Sequence, residues 1–219
     1  MKYVALIGRA LVTGAAIAFA AMPVLAQTPP PAGRPPLEGP LMARYLAAEQ
    51  VGGCVVRNKP KVAQRFVLSG GGDRSDPASN AAELRYAAVP CLKGEFRSVH
   101  LDGLEMRGAM AEALLKEHSA ALLLKARSTP PHLAERIAPP VEGINLALFG
   151  CVVAAMPAQA AALLDAAPST SGEASAFAAI EPALQGCAPA DAALHIKPSA
   201  VRWLVATSLY RLVETNPGT

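Results

Sequence analysis

No motif in this sequence announces a chemistry. There is no glycine-rich phosphate loop closed by Lys-Ser or Lys-Thr, no HExxH, no GxSxG and no closely spaced cysteine pair, so the common nucleotide, zinc and serine-hydrolase signatures lack support. No cofactor and no metal are expected. Charge of one sign is also missing: 20 Lys and Arg stand against 17 Asp and Glu, a formal net charge of +3. Two of the basic residues, Lys2 and Arg9, belong to a leader, and without them the +3 becomes +1. Nucleic acid and anionic membrane surfaces both require clustered Lys and Arg, so neither is an expected partner.

The long apolar run is confined to the start of the chain. Residues 1–26 combine Lys2 and Arg9, an apolar stretch over 10–21 and the small-residue pattern Val24-Leu25-Ala26, which reads as a cleaved signal peptide with Gln27 as the new N-terminus. Arg9, Gly14 and Pro23 interrupt the run, so no membrane span is expected after cleavage. No cysteine stands at the cleavage point, which argues against a lipoprotein. The expected location is periplasmic or secreted.

What the chain does contain is a repeat. Gly53-Cys54-Val55-Val56 with Pro60 returns as Gly150-Cys151-Val152-Val153 with Pro157, and each copy has a second cysteine, Cys91 or Cys187, 37 or 36 residues on. His100, Leu101 and Arg107 precede His195, Ile196 and Arg202 by a constant 95 residues. Four cysteines in an exported chain imply two disulfides, and all three pairings respect a two-fold duplication. Loop closure favours the short loops by about 0.9 kcal/mol per bridge over loops of about 97 residues, which selects Cys54 with Cys91 and Cys151 with Cys187.

Residues 27–40 are a proline-rich tether that disfavours helix. From Leu41 the apolar residues recur at helical spacing up to Pro60, which opens a second helix ended by Ser69-Gly70-Gly71-Gly72. Asp76-Pro77 starts a third helix with Leu84, Ala88 and Cys91 on one side, residues 96–101 read as extended, and Asp102 with Glu105 forms a capping box for a fourth. Leu101 and Met106 are placed as a hydrophobic staple.

The second copy repeats the plan: a helix over 141–155, Pro157 opening the next, Thr170 and Glu173 as a capping box, and Pro198 in the first turn of the last. Residues 118–140 connect the copies and 215–219 form a tail. The expected fold is all-α: two tandem four-helix repeats, 41–117 and 141–214, packed about a pseudo-two-fold axis and stapled by disulfides. Alanine dominates both copies, which promotes helix but buries little apolar area, so the core should be shallow.

Candidate binding residues are His100 and His195 with Arg107 and Arg202, paired by position just before and inside the fourth helix of each copy. Histidine and arginine together suit an anion or acid–base work; the alternative is that they satisfy backbone groups and carboxylates within the fold. His132 and Glu135 are two metal-ligand types without a third, and the Asp73–Asp76 loop lacks calcium-loop spacing.

The repeated Gly-Cys-Val-Val, proline and cysteine framework in an Ala-rich exported chain resembles the uncharacterised secreted helical proteins of alphaproteobacteria, over residues 41–214. The resemblance implies an exported helical fold and brings no known activity, cofactor or catalytic residue. The expected function is a non-enzymatic binding or scaffold module for an unknown protein or small molecule. The alternatives are a carrier with an apolar ligand in the groove between repeats, or an enzyme using His100 or His195.

Overall fold

Proline punctuates this fold. A computed structural model describes residues 39–69, 77–93, 101–118, 144–188, 196 and 198–214. Among them are eight α-helices and no strand: α1 (Pro40–Asn58), α2 (Pro60–Leu68), α3 (Pro77–Ala88), α4 (Gly103–Ala113), α5 (Ile144–Ala155), α6 (Pro157–Asp165), α7 (Ser171–Cys187) and α8 (Pro198–Glu214). Five of the eight begin on proline, whose fixed φ suits the first turn and whose missing N–H would have had no intrahelical acceptor there. A 3₁₀ turn, Val89–Cys91, follows α3, and a π turn, Leu114–His118, prolongs α4. The expected signal peptide, the tether up to residue 38, the 119–140 part of the connector, residues 96–100 of the segment expected to be extended, and the tail lie outside the described residues.

The corners between paired helices share one backbone solution. Lys59, between α1 and α2, has φ −143° and ψ 59°; Met156, between α5 and α6, has φ −137° and ψ 60°. Lys59 donates its N–H to the Val55 carbonyl at 2.7 Å and accepts from the Ala63 N–H at 3.1 Å. Met156 does the same with Val152 at 2.9 Å and Ala160 at 3.0 Å. One residue therefore closes the first helix and opens the next, and proline follows it in both places.

The disulfides are intramolecular and local: Cys54 with Cys91, Cα atoms 5.8 Å apart, and Cys151 with Cys187, 5.9 Å apart. This is the pairing that loop length favoured. The first ties α1 to the 3₁₀ turn after α3, and the second ties α5 to the end of α7. Two such bonds fit an oxidising compartment.

Helix starts follow their caps with one correction. At α4 both halves of the capping box are present, Glu105 N–H to Asp102 Oδ1 and Asp102 N–H to Glu105 Oε2, each 2.9 Å. At α7 Thr170 Oγ1 accepts from the Glu173 N–H at 3.3 Å, but the Glu173 carboxylate accepts from the Ser169 N–H at 2.8 Å, one residue earlier than a capping box requires. Ser169 is at φ 58°, and that turn presents its N–H, not that of Thr170, to the carboxylate.

The core is continuous across the chain. One cluster runs from Val51, Val55 and Val67 through Met110 and Leu115 to Phe149, Leu163, Ile180, Leu204 and Val213, so 41–117 and 141–214 bury apolar surface against each other. The most extensive contact joins α4 to α8. It is made close by Gly108, where an added Cβ would stand 2.3 Å from Trp203 Cβ. Trp203 stacks on Tyr45 of α1, ring centroids 4.6 Å apart and planes 12° from parallel. Among the described residues no single helix is long and apolar enough to cross a membrane.

Candidate functional site: an apolar pocket beside a saturated polar network

Arg202 and Arg107 do different work. Arg202 is 3% exposed, as is the Glu112 side chain it meets. Its Nε donates to Glu112 Oε2 at 3.0 Å and its Nη2 to Oε1 at 2.6 Å; Nη2 also reaches the Leu164 carbonyl at 2.9 Å. Nη1 serves the Leu163 and Ala166 carbonyls at 3.0 and 2.9 Å and Glu173 at 3.2 Å. All five N–H groups of a guanidinium are thereby used. Arg202 closes the carbonyl end of α6, where backbone acceptors lack intrahelical donors, and leaves no donor for a ligand. Burial pulls its charge down, but the hydrogen bonds and charge of Glu112 outweigh burial and hold the guanidinium above its ordinary pKa.

Arg211, nine residues along α8, does the same for the other half: its Nε donates to the Val67 carbonyl at 3.0 Å and its Nη2 to Ser69 at 3.1 Å. The last helix thus caps both α2 and α6. Neither Glu112 nor Arg211 stands out in the sequence, because their partners are 90 and about 144 residues away.

Glu49 lies next to this network. Its carboxylate accepts from the Tyr45 hydroxyl at 3.1 Å. Burial, then the negative charge of Glu112, pushes its pKa up, and burial likewise raises that of Tyr45.

Arg107 turns to an aromatic face instead, with its Cζ 5.2 Å from the centroid of the Phe66 ring. Phe66 lines an open pocket of about 460 Å³, within the size range of small-ligand sites. The walls come from Val51 of α1, Phe66 of α2, Leu84, Arg85 and Ala88 of α3, Leu92 after the 3₁₀ turn, and Leu101, Asp102, Gly103 and Met106 around the start of α4. The Cys54–Cys91 bond holds the turn between Ala88 and Leu92 to α1, and an Arg65–Glu83 ion pair holds α2 to α3. The disulfide therefore fixes one wall of the pocket.

Aligning the two copies by sequence sets five buried side chains opposite pocket residues, while Ala188 and Ile196, opposite Leu92 and Leu101, are half-buried as those are. Counting 97 residues on from α1 and α2, 96 from α3 and 95 from α4, Val51, Phe66, Leu84, Ala88 and Met106 correspond to Leu148, Leu163, Ile180, Leu184 and Val201. All five of the latter are buried, whereas Phe66, Leu84 and Ala88 are only half-buried. Leu184 puts a branched side chain where Ala88 puts a methyl group, and α7 runs as α-helix to Cys187 where α3 gives way to a 3₁₀ turn ending at Cys91.

This pocket does not lie in the expected groove between repeats: its described lining residues all fall within 51–106. The apolar core includes residues of both α4 and α8 where they cross. Arg107 stands beside the pocket and Arg202 does not, and His100 and His195 lie outside the described residues, as do His132, Glu135 and the 70–76 loop. No group of three or more potential metal ligands occurs among the described residues. Comparison with known protein families, characterised proteins and solved structures finds no match to the chain.

Proposed function

We propose that the chain is an exported, internally duplicated helical module that binds a small apolar molecule in the pocket of its first half and performs no catalysis. Its leader, residues 1–26, is removed on export, and the mature protein works in the periplasm or outside the cell. The two disulfides and the leader composition support that location. Support for duplication with a pseudo-two-fold axis comes from the shared helix order, the matching corners at Lys59 and Met156, and the contact of Gly108 with Trp203, 95 residues on.

The observation that carries the binding reading is the difference between halves. Apolar side chains left half-open around one pocket forgo burial worth about 25 cal/mol per Å², and the equivalents of Phe66, Leu84 and Ala88 in the second half are buried. A site that gives up that stabilisation in one half only is best explained by an occupant.

The test is a fluorescence titration with N-phenyl-1-naphthylamine, a neutral apolar dye. The reading expects saturable one-to-one binding that Ala88→Leu weakens at least about tenfold, with the thermal midpoint kept or raised because the cavity is filled. Absence of saturable binding, or equal binding by the variant, overturns it.

A further inference from the structure

We infer that the occupant of this pocket is an amphiphile with one carboxylate, its apolar part among Phe66, Leu84, Leu92 and Leu101 and its head group on Arg85; the inference rests on the binding reading above. Among the described residues two charged side chains line the pocket, Arg85 and Asp102. Asp102 is committed to the fold: its Oδ1 accepts from the Glu105 N–H at 2.9 Å and its Oδ2 lies 3.9 Å from Arg44 Nη2. Glu105 beside it is held by the same Arg44 at 2.7 Å, so one guanidinium answers two carboxylates, both of which also cap the positive N-terminal end of α4. On α3 the neighbouring acid, Glu83, is paired with Arg65.

Arg85 has no such commitment. It is exposed and makes no ion pair or hydrogen bond among the described residues. An apolar pocket whose available charge is a guanidinium suits a ligand with a carboxylate at one end, since the planar fork of Arg pairs with carboxylate through two parallel hydrogen bonds. A neutral ligand would leave that donor set to water, and a cationic one would be repelled.

Calorimetric titration of the full chain with decanoate and with decan-1-ol tests this. The wild type should bind decanoate about tenfold more tightly than the alcohol. Arg85→Gln should weaken decanoate to the level at which the same variant binds the alcohol. Equal affinity of the wild type for acid and alcohol, or a preference that survives Arg85→Gln, overturns the head-group assignment while the pocket stands. If neither molecule binds the wild type, both this inference and the binding reading fall.

Discussion

Gly108 and Trp203 meet where α4 crosses α8, and the glycine is what lets them: an added Cβ would lie 2.3 Å from Trp203 Cβ and 2.6 Å from its Cα. In the proposed duplication these two residues are equivalents, and equivalent residues that touch lie on the axis relating the halves. Two large side chains cannot share such a point. Here the space is divided unequally, with Trp203 taking it and Gly108 yielding.

Gly108→Ala should therefore destabilise the protein by about 1–3 kcal/mol, the range for overpacking, because the atoms in the way include backbone and cannot rotate aside. Gly103→Ala, with nothing within 4 Å of the added carbon, should be close to neutral. Urea unfolding followed by the fluorescence of Trp203, the single tryptophan, checks both. Equal stability of the two variants would mean that α4 and α8 are not pressed together.

Arg202→Met should cost about 3 kcal/mol, since it leaves the buried carboxylate of Glu112 with only the half-exposed Lys116 ammonium, 2.5 Å from its Oε1, as a partner. Adding Glu112→Leu should recover part of the loss and not all of it, because the Leu163, Leu164 and Ala166 carbonyls still lack their donor. Full recovery in the double variant would show that the α6 cap contributes nothing. Chemical denaturation of the wild type, both single variants and the double variant supplies the cycle.

Glu49 gives a pH dependence with a definite sign. Its folded pKa is raised above the ordinary 4.5 by burial and by Glu112, so the folded state holds the proton more tightly than the unfolded chain. That contribution to stability is fully present below pH 4.5 and is lost as pH rises through the raised value. Glu49→Gln keeps an acceptor for Tyr45 without the charge, so it should flatten the fall of thermal midpoint over this window and raise the midpoint at neutral pH by about 2 °C. An unchanged slope, or a lower neutral midpoint, would contradict the assignment.

Features written in neighbouring residues were legible before the structure. Pro60 and Pro157 mark helix starts because proline's constraint is its own, and Asp102 with Glu105 closes a capping box because the partners are three apart. Cysteine pairing followed from chain length between the sulfurs. The Thr170–Glu173 box was only half legible, since the turn at Ser169 decides which N–H the carboxylate meets.

Long-range partners were not legible. Nothing near Glu112 announces Arg202, 90 residues later, and nothing near Arg211 announces the end of α2. The pocket is an absence, which no single residue encodes; its trace is the pairing of Ala88 with Leu184, meaningful only once the halves are aligned and the burial of each is known. Arg107 and Arg202 were found as a pair by position, and their surroundings then assigned one to a pocket's edge and the other to the interior.

In the proposed reading the pocket of the first half binds ligand and the equivalent positions of the second half do not. A methyl-resolved NMR titration of the full chain with decanoate tests it most directly. Saturable shifts should be confined to Val51, Leu84, Leu92, Leu101 and Met106, while Leu148, Leu163, Ile180, Leu184 and Val201 stay fixed. Shifts of comparable size in both sets, or none in the first, would contradict it.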